Sequence, residues 1–435
     1  MRGAAGKWSV SELKIWLINH YAANMFSDHA GRHYWFAENL KKRGYDVTVV
    51  CAATYLNSDD VVDTGKSVFA AKETEGIPFV FVRTIPAQGN GVARVRSWLR
   101  FYRNLFPTAR AWAKEHGKPD VILASSVHPL TMVAGVRIAR RMRIPCICEV
   151  RDLWPEAIFS FGKAREGSLL GRALTAGEHW IYRKADALIF TKEGDTDHLK
   201  EMKWTTAQGG DIDLAKCFYI NNGVDVEAYR RNMATERLED PELLDETKFN
   251  VTYAGTIRPV NNVGNLLDAA AILKARGGYE DVQFLIYGNG AQLEELRRRA
   301  AEEKLEQVHL KGFVERKYIP FILSRSSVNM LNYAQNQYNW TRGNSSNKLF
   351  EYMASGKPII STVRMGYSII QRYRCGTELE EDTPRALAEQ IMRFHDMSPG
   401  EREEMGRSAA RGAEDFDFGV LTEKLVRVVE SVAKG

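Results

Sequence analysis

The sequence predicts an α/β protein of two Rossmann-like, doubly wound domains facing a crevice, with a C-terminal helix crossing back to the first domain. Three observations carry this expectation. Short apolar runs alternate with helical stretches in β-loop-α-β order from Lys14 to Ala52. A second series of the same kind opens at Asn250, after a polar stretch from Tyr229 to Lys248. A chain of 435 residues also exceeds what one simple core accommodates. The expected domains are 1–225 and 226–410, with 411–435 packing back on the first.

Apolar and charged fractions are those of a soluble globular protein, and the net charge of +5 is mildly basic. Such a charge points to an anionic partner only where it clusters, and nucleic acid is not expected as one. The five cysteines (Cys51, Cys146, Cys148, Cys217 and Cys375) show no metal-ligand spacing, and an odd count without a framework fits reduced thiols in a cytosol. Cys146 and Cys148 alternate on what reads as a strand and so share one buried face. Met1 to Ser11 lacks the apolar core of a secretory signal. The longest uncharged stretch, Val121 to Val136, contains His128 and Pro129 and falls short of a membrane span. The expected location is cytoplasmic, with attachment at most to the inner face of the cell membrane.

Lys14 to Ile18 reads as a buried strand, Asn19 to Gly31 as a loop, Arg32 to Arg43 as a helix ended by Gly44, and Val47 to Ala52 as a second strand. The loop brings Gly31 and Arg32 to a helix start at the crevice. A dinucleotide enzyme would close the second strand with a carboxylate for the ribose; Cys51-Ala52-Ala53 stand there instead, which argues against nicotinamide chemistry. Val121 to Ser125 and Pro145 to Val150 are strands around a helix from Leu130 to Arg141, and Ala185 to Thr191 is another strand. Glu149-Val-Arg-Asp-Leu-Trp-Pro-Glu156 lies where ligands bind in such folds, so Arg151 and Asp152 are candidate site residues. Ile158-Phe-Ser-Phe161 beyond them is apolar and suits core, acceptor pocket or lipid contact. Phe218 to Asp225 ends the domain in a glycine turn.

Gly91 to Lys118 interleaves Arg94, Arg96, Arg100, Arg103 and Arg110 with Val95, Trp98, Leu99, Tyr102, Leu105 and Phe106. A helix here has the composition of a membrane-surface element. It equally suits a domain helix with an apolar inner face and a solvated basic outer one, and Pro107 interrupts the pattern.

In the second domain, strands are expected at Asn250–Ala254, Val282–Tyr287, Val308–Lys311 and Ser327–Leu331, and helices at Gly264–Ala275 and Ala291–Lys304. Everything is organised around Gly343-Asn-Ser-Ser-Asn-Lys-Leu-Phe-Glu-Tyr-Met-Ala-Ser-Gly-Lys-Pro-Ile-Ile-Ser361. Ser345 or Ser346 caps a helix, Gly356 ends it in the left-handed region, and Pro358 opens a short strand. Leu349 and Met353 share its apolar face, and Lys348 and Glu351 a more polar one. The N–H groups left unpaired at the helix start, the dipole and Lys348 make it a phosphate seat, and Glu351 one turn later suits a ribose diol. The plainer reading is an amphipathic helix with a surface Lys348–Glu351 pair.

Gly288-Asn-Gly290 begins a dinucleotide-like pattern, but Leu293 stands where its third glycine would be. Three D-x-D triplets, Asp195/Asp197, Asp211/Asp213 and Asp415/Asp417, read as solvated carboxylates because none follows an apolar strand. Ser-His-Asp, HExxH and Walker patterns are missing, and the nine histidines show no pairing at ligand spacing.

These pieces occur in order with Asn222-Gly-Val-Asp225, Tyr253-Ala-Gly255, Tyr287-Gly-Asn-Gly290 and Ser346-Asn-Lys-Leu-Phe-Glu-Tyr-Met-Ala-Ser-Gly-Lys-Pro358. Together they resemble family 4 glycosyltransferases of the GT-B fold over nearly the whole chain past residue 12. Glu149 to Glu156, Gly255-Thr-Ile-Arg258 and Asn261-Asn262 resemble the bacterial O-antigen and capsule branch that includes L-fucosamine transferases. The resemblance implies an acceptor-binding first domain and a donor-binding second one. It implies that Glu351 holds the ribose of a UDP-sugar, that Lys348 and Arg258 meet the diphosphate, and that the Gly288–Gly290 loop with Phe313 and Val314 borders the base. Gly31, Gly255, Ser346 and Leu349 complete the implied donor site, and Arg151 and Asp152 join Arg258 and Lys348 as the implied catalytic groups. The family's first paired glutamate falls at Gly343, its usual Arg and Lys at Thr256 and Asn261, and its crevice His at Arg151; Arg258 supplies the missing charge.

The function so implied is a retaining, metal-independent transfer of a sugar from a nucleotide-diphosphate donor, with no cofactor. The acceptor is a bacterial glycan or a polyprenyl-linked saccharide of surface-polysaccharide synthesis, and 94–110 is a candidate contact with anionic membrane. A sugar-nucleotide epimerase on the same fold and a non-catalytic membrane-surface adaptor are the alternatives.

Overall fold

A computed structural model describes residues 13–433 except 57, 88, 90, 127, 161, 163 and 336–339, with only the backbone of 157 and 160. It divides into two compact units, 1–221 with 421–435, and 222–420.

The first unit is built on an eight-stranded sheet of order β3-β4-β2-β1-β5-β6-β7-β8. Its strands are β1 Lys14–Ile18, β2 Asp46–Ala52, β3 Phe69–Thr74, β4 Ile77–Val82, β5 Val121–Ser125, β6 Cys146–Val150, β7 Ala187–Phe190 and β8 Cys217–Tyr219. All neighbours pair in parallel except β3 on β4. Every residue of β5, β6 and β7 is buried, as a parallel sheet covered on both faces requires. The chain winds outward from β1 through β2 and then returns to β5, so the order reverses between β1 and β5. Two features escape the sequence patterns. Ala23–Asp28, expected as loop, is a helix too short to show a period. The β3–β4 hairpin turns at Glu75 and Gly76, whose φ angles of 50° and 73° suit the right-handed twist of a hairpin. Pro107 does not break its helix, which runs unbroken from Val92 to His116.

The second unit has an all-parallel six-stranded sheet of order β11-β10-β9-β12-β13-β14. These strands are β9 Phe249–Ala254, β10 Val282–Tyr287, β11 Val308–Gly312, β12 Val328–Leu331, β13 Ile359–Ser361 and β14 Gly376–Glu378. Alternate residues feed two cores. Phe284 and Ile286 join Tyr253 and Met330 on one face, while Leu285 and Tyr287 join Leu331 and Leu349 on the other. Here the order reverses between β9 and β12.

The units divide at 221/222, and the polar stretch Tyr229–Lys248 belongs wholly to the second one. Val226–Thr235 and Pro241–Leu244 are helices whose Tyr229 and Leu243 enter the second core. Its charges are satisfied internally: Asp240 accepts from Tyr287 Oη at 2.7 Å and Lys311 Nζ at 2.6 Å. The expected return of 411–435 to the first domain also needs correction. Arg411 belongs to a helix, Pro399–Glu414, of the second unit, and Phe416 packs there against Phe350, ring centres 4.7 Å apart. Only from Leu421, within the last helix Phe418–Ala433, does the chain belong to the first unit, where Tyr45 Oη donates to Glu430 at 3.1 Å.

Candidate active site

In doubly wound sheets, ligands bind beyond the carboxyl ends of the strands where the strand order reverses. In the second unit that point lies between β9 and β12. The loops there are stitched by backbone bonds: Gly255 N to Tyr287 O and Ile257 N to Asn289 O, both 2.9 Å, and Gly288 N to Gly312 O, 2.7 Å. Such close approach needs glycine. A Cβ at Gly288 would sit 1.8 Å from Gly255 O, and one at Gly290 2.0 Å from Ile257 O. Asn332 Nδ2, just past β12, donates to Asn261 O and Asn262 O at 2.7 Å each and so bridges the reversal. Asn261 is itself buried and donates to Thr256 O, a structural task that leaves the nearby positive charge to Arg258.

Asn347–Ala354 is a helix whose first turn faces this point. Leu349 and Met353 are wholly buried, so Leu349, an expected donor-binding residue, contributes its side chain to the core rather than to a ligand. Gly356 has the left-handed φ of 68° that terminates the helix. Ser346 occupies the N-cap position but does not cap, because its hydroxyl pairs with Tyr333 Oη at 2.7 Å. The first-turn amides therefore have no side-chain cap.

Lys348 does not pair with Glu351. Its Nζ donates to Tyr253 Oη at 3.0 Å and lies 4.7 and 4.9 Å from the ring centres of Tyr253 and Tyr333. Burial and the neighbouring Arg258 guanidinium pull the ammonium down to about 7, against the opposing pull of Glu351. A Cβ at Gly255 would come within 2.3 Å of Lys348 Cε, so that glycine makes room for the lysine stem. Glu351 accepts instead from the exposed Arg316 at 3.1 Å. Arg258 is exposed, Phe313 is 74% exposed at the exit of β11, and Val314 packs toward the core. Gly255, Arg258, Gly288, Gly290, Phe313, Ser346, Lys348 and Glu351 thus gather at the loops of one sheet edge. Tyr253, Tyr333 and Arg316 join them; their tyrosine and arginine types alone carried no signal.

The other expected site residues belong to the first unit. Gly31 (φ 106°) precedes the helix Arg32–Lys42. Behind it lies a buried cluster. Glu149 at the end of β6 accepts from Arg32 Nε at 2.7 Å, His33 Nε2 at 3.1 Å and Ser125 Oγ at 2.6 Å. Arg32 also donates to Ile220 O and Asn221 O at 2.9 and 2.5 Å. Burial opposes the Glu149 charge, but Arg32 and His33 outweigh it and hold the carboxyl well below its usual range. Burial pulls His33 itself below its ordinary value, against the opposing pull of Glu149. With Nε2–H donating to Glu149, its Nδ1 accepts from Asn19 Nδ2 at 2.9 Å. Arg151 and Asp152 follow directly. The Arg151 backbone N–H bonds Ser126 Oγ at 3.0 Å, and exposed Asp152 lies 3.8 Å from Lys192.

Of the D-x-D carboxylates Asp211, Asp213 and Asp415 are exposed as expected, Asp197 and Asp417 are half-buried, and only Asp195 is buried. Asp195 is buried and accepts from Lys192 N, Asp211 pairs with His179 at 2.7 Å, and Asp417 accepts from Val226 N at 2.9 Å. Folding also assembles ligand-type groups that sequence spacing does not reveal, for Glu156, His198 and Glu201 converge within 4.8 Å. Burial disfavours a charged His198, yet Glu156 and Glu178 on its two nitrogens raise it to about 9, so the ring is a cation.

The helix Val92–His116 is two-faced. Phe101, Leu105, Ala109 and Trp112 are buried, and Trp98 stacks on His128 at 5.0 Å. Outward it presents Arg96, Arg100, Arg103 and Arg110 beside Val92, Val95 and Leu99, which are 69%, 46% and 46% exposed. Beyond Trp154, Ile158 lines an apolar cavity of about 170 Å³ with Leu130, Met132, Val133 and Leu174; Phe161 lies outside the described residues. No described helix is long and apolar enough to cross a membrane.

Residues 32–208 match the family model described as a glycosyl transferase 4-like domain, and 234–412 match that of glycosyl transferases group 1. Glycogen synthase of Mycobacterium tuberculosis is 23% identical over 313 residues, 69% of this chain and 68% of that protein. The crystal structure of HepE from Anabaena in complex with UDP aligns over 96% of this chain and 100% of that one, at 14% identity and a TM-score of 0.65. WaaG, a glycosyltransferase involved in lipopolysaccharide biosynthesis, aligns over 95% and 99% at 14% identity and a TM-score of 0.62.

Proposed function

Since the chain is a glycosyltransferase of the GT-B fold, with a family 4-like domain followed by a group 1 domain, we propose that it moves a sugar from a UDP-sugar to a bacterial glycan or lipid-linked acceptor with retention of anomeric configuration. The observation that carries this reading is an uncapped helix start at the reversal point of the second sheet, flanked by Lys348 and Arg258, with Glu351 one turn on. Glu351 receives the ribose hydroxyls, and Phe313 and the Gly288–Gly290 loop border the base. The first-turn amides, Lys348 and Arg258 hold the diphosphate and stabilise the charge that develops as it leaves. These cations stand in for a metal. As the family resemblance implies, the acceptor attacks the face from which UDP departs, and configuration is retained. Gly31, Arg151 and Asp152 belong to the proposed acceptor-binding unit. HepE, crystallised with UDP, supports the choice of nucleotide, and WaaG supports a surface-polysaccharide role. The Glu149–Glu156 and Gly255–Arg258 strings support the O-antigen branch of the family.

A panel of UDP-sugars, assayed for UDP release with and without excess EDTA, tests this. One donor should turn over, and chelation should leave its rate unchanged. Loss of turnover restored by magnesium would remove metal independence. Release of UDP from none of the sugars would remove the choice of nucleotide.

The outer face of the helix Val92–His116 supports peripheral attachment to anionic lipid. Each arginine near such a surface contributes about 1 kcal/mol, screened by salt. The triple change Arg96→Ser, Arg100→Ser and Arg103→Ser should therefore abolish flotation with anionic vesicles. Flotation that is indifferent to the change would leave this helix a domain helix with a solvated basic face.

A further inference from the structure

Lys348 is the cation nearest the proposed diphosphate seat, yet among the described residues no carboxylate lies within ion-pair distance of it. Glu351, the acidic group on its own helix, is taken by Arg316 at 3.1 Å. The side chains facing the ammonium are Tyr253 from β9, Tyr333 from the end of β12 and Arg258 from the loop between them. Each tyrosine is itself anchored. Tyr253 Oη donates its one proton to Thr256 O at 2.9 Å, so a lone pair is left for Lys348 Nζ. Tyr333 Oη is tied to Ser346 Oγ at the start of the helix that carries Lys348. A third tyrosine, Tyr352, donates to Ala254 O at 3.2 Å and fixes the same helix against β9.

We infer that Tyr253 and Tyr333 are positioning residues that clamp Lys348 in surroundings of low polarity, so that a nucleoside diphosphate binds there together with a proton. This rests on the donor site proposed above. Two aromatic faces and one phenol oxygen solvate an ammonium less well than water does, and the Arg258 guanidinium repels it. The lysine, brought down to about 7, is mostly the neutral amine at pH 8. Diphosphate oxygens supply the missing counter-charge, and the amine nitrogen then takes one proton from solvent to form its third N–H bond. Binding and protonation are thereby linked.

Calorimetry of the full chain with UDP at pH 8, in HEPES and in Tris, whose ionisation heats differ, measures the proton count directly. The terminal phosphate of UDP, with a pKa of about 6, is already ionised at pH 8 and adds little. An uptake of about 0.9 proton per UDP is expected, and affinity should fall about tenfold per pH unit above 8. Lys348→Arg, charged throughout this range, should bind UDP with almost no uptake and a flat pH profile. Tyr253→Phe removes the oxygen that accepts from Nζ, so the midpoint of the profile should move to lower pH. Wild-type binding at pH 8 with an uptake below about 0.3 proton, or the same uptake in Lys348→Arg, would overturn the inference while the donor site stood. Failure of the wild type to bind UDP at any pH is a different result, and would remove the donor site and the inference together.

Discussion

Glu351→Gln should lower the affinity for UDP by about one to two orders of magnitude. A charged acceptor contributes roughly 1.5–3 kcal/mol per hydrogen bond, and glutamine keeps the size and one acceptor oxygen but loses the charge. The structure sharpens this expectation, because Glu351 Oε1 already accepts from Arg316 at 3.1 Å. That contact steadies the carboxylate and leaves Oε2 for a ribose hydroxyl. Arg316 is more than half exposed, so its ion pair contributes little to stability and cannot by itself account for a large effect. Lys348→Ala should weaken UDP but leave uridine less affected, since the ammonium faces phosphate rather than ribose. Titrating both variants with UDP and with uridine separates the roles. Wild-type UDP affinity in Glu351→Gln would remove Glu351 from the donor site.

Glu149→Gln should destabilise the first unit by about 3–5 kcal/mol, because it leaves the buried Arg32 guanidinium without its counter-charge. Arg32 and Glu149 side chains are 2% and 0% exposed, so water cannot take the carboxylate's place. Replacing both at once, Arg32→Met with Glu149→Leu, should cost less than the single change, since no charge then remains buried. Urea unfolding followed by tryptophan fluorescence reports on this unit, which holds eight of the nine tryptophans. A loss below about 1 kcal/mol in Glu149→Gln would show that Arg32 needs no partner. The pH dependence has a definite sign. The folded carboxyl lies well below its ordinary 4.5, so its contribution is complete above that value and is lost as pH falls toward the folded one.

Much of this molecule is local and therefore legible along the chain. Lys14–Ile18, Val121–Ser125 and Val282–Tyr287 are strands with the expected ends, because an apolar run of that length flanked by polar turns has few other uses in a parallel sheet. The helix at Lys348, its left-handed end at Gly356 and the close-packed glycines 288 and 290 follow from steric rules that hold in any context. What strand order brings together was not legible. Arg32 meets Glu149 across 117 residues, and Lys348 meets Tyr253 across 95, only because β6 and β9 occupy particular places in their sheets. The polar stretch Tyr229–Lys248 reads as a boundary between domains for the same reason: composition counts its charges, whereas Tyr287 and Lys311, which satisfy Asp240, come from β10 and β11. A spacing of three on one helix placed Lys348 beside Glu351. Tertiary structure gave each a different partner: Tyr253 and Tyr333 from the sheet hold Lys348, and Arg316 from the loop after β11 reaches Glu351.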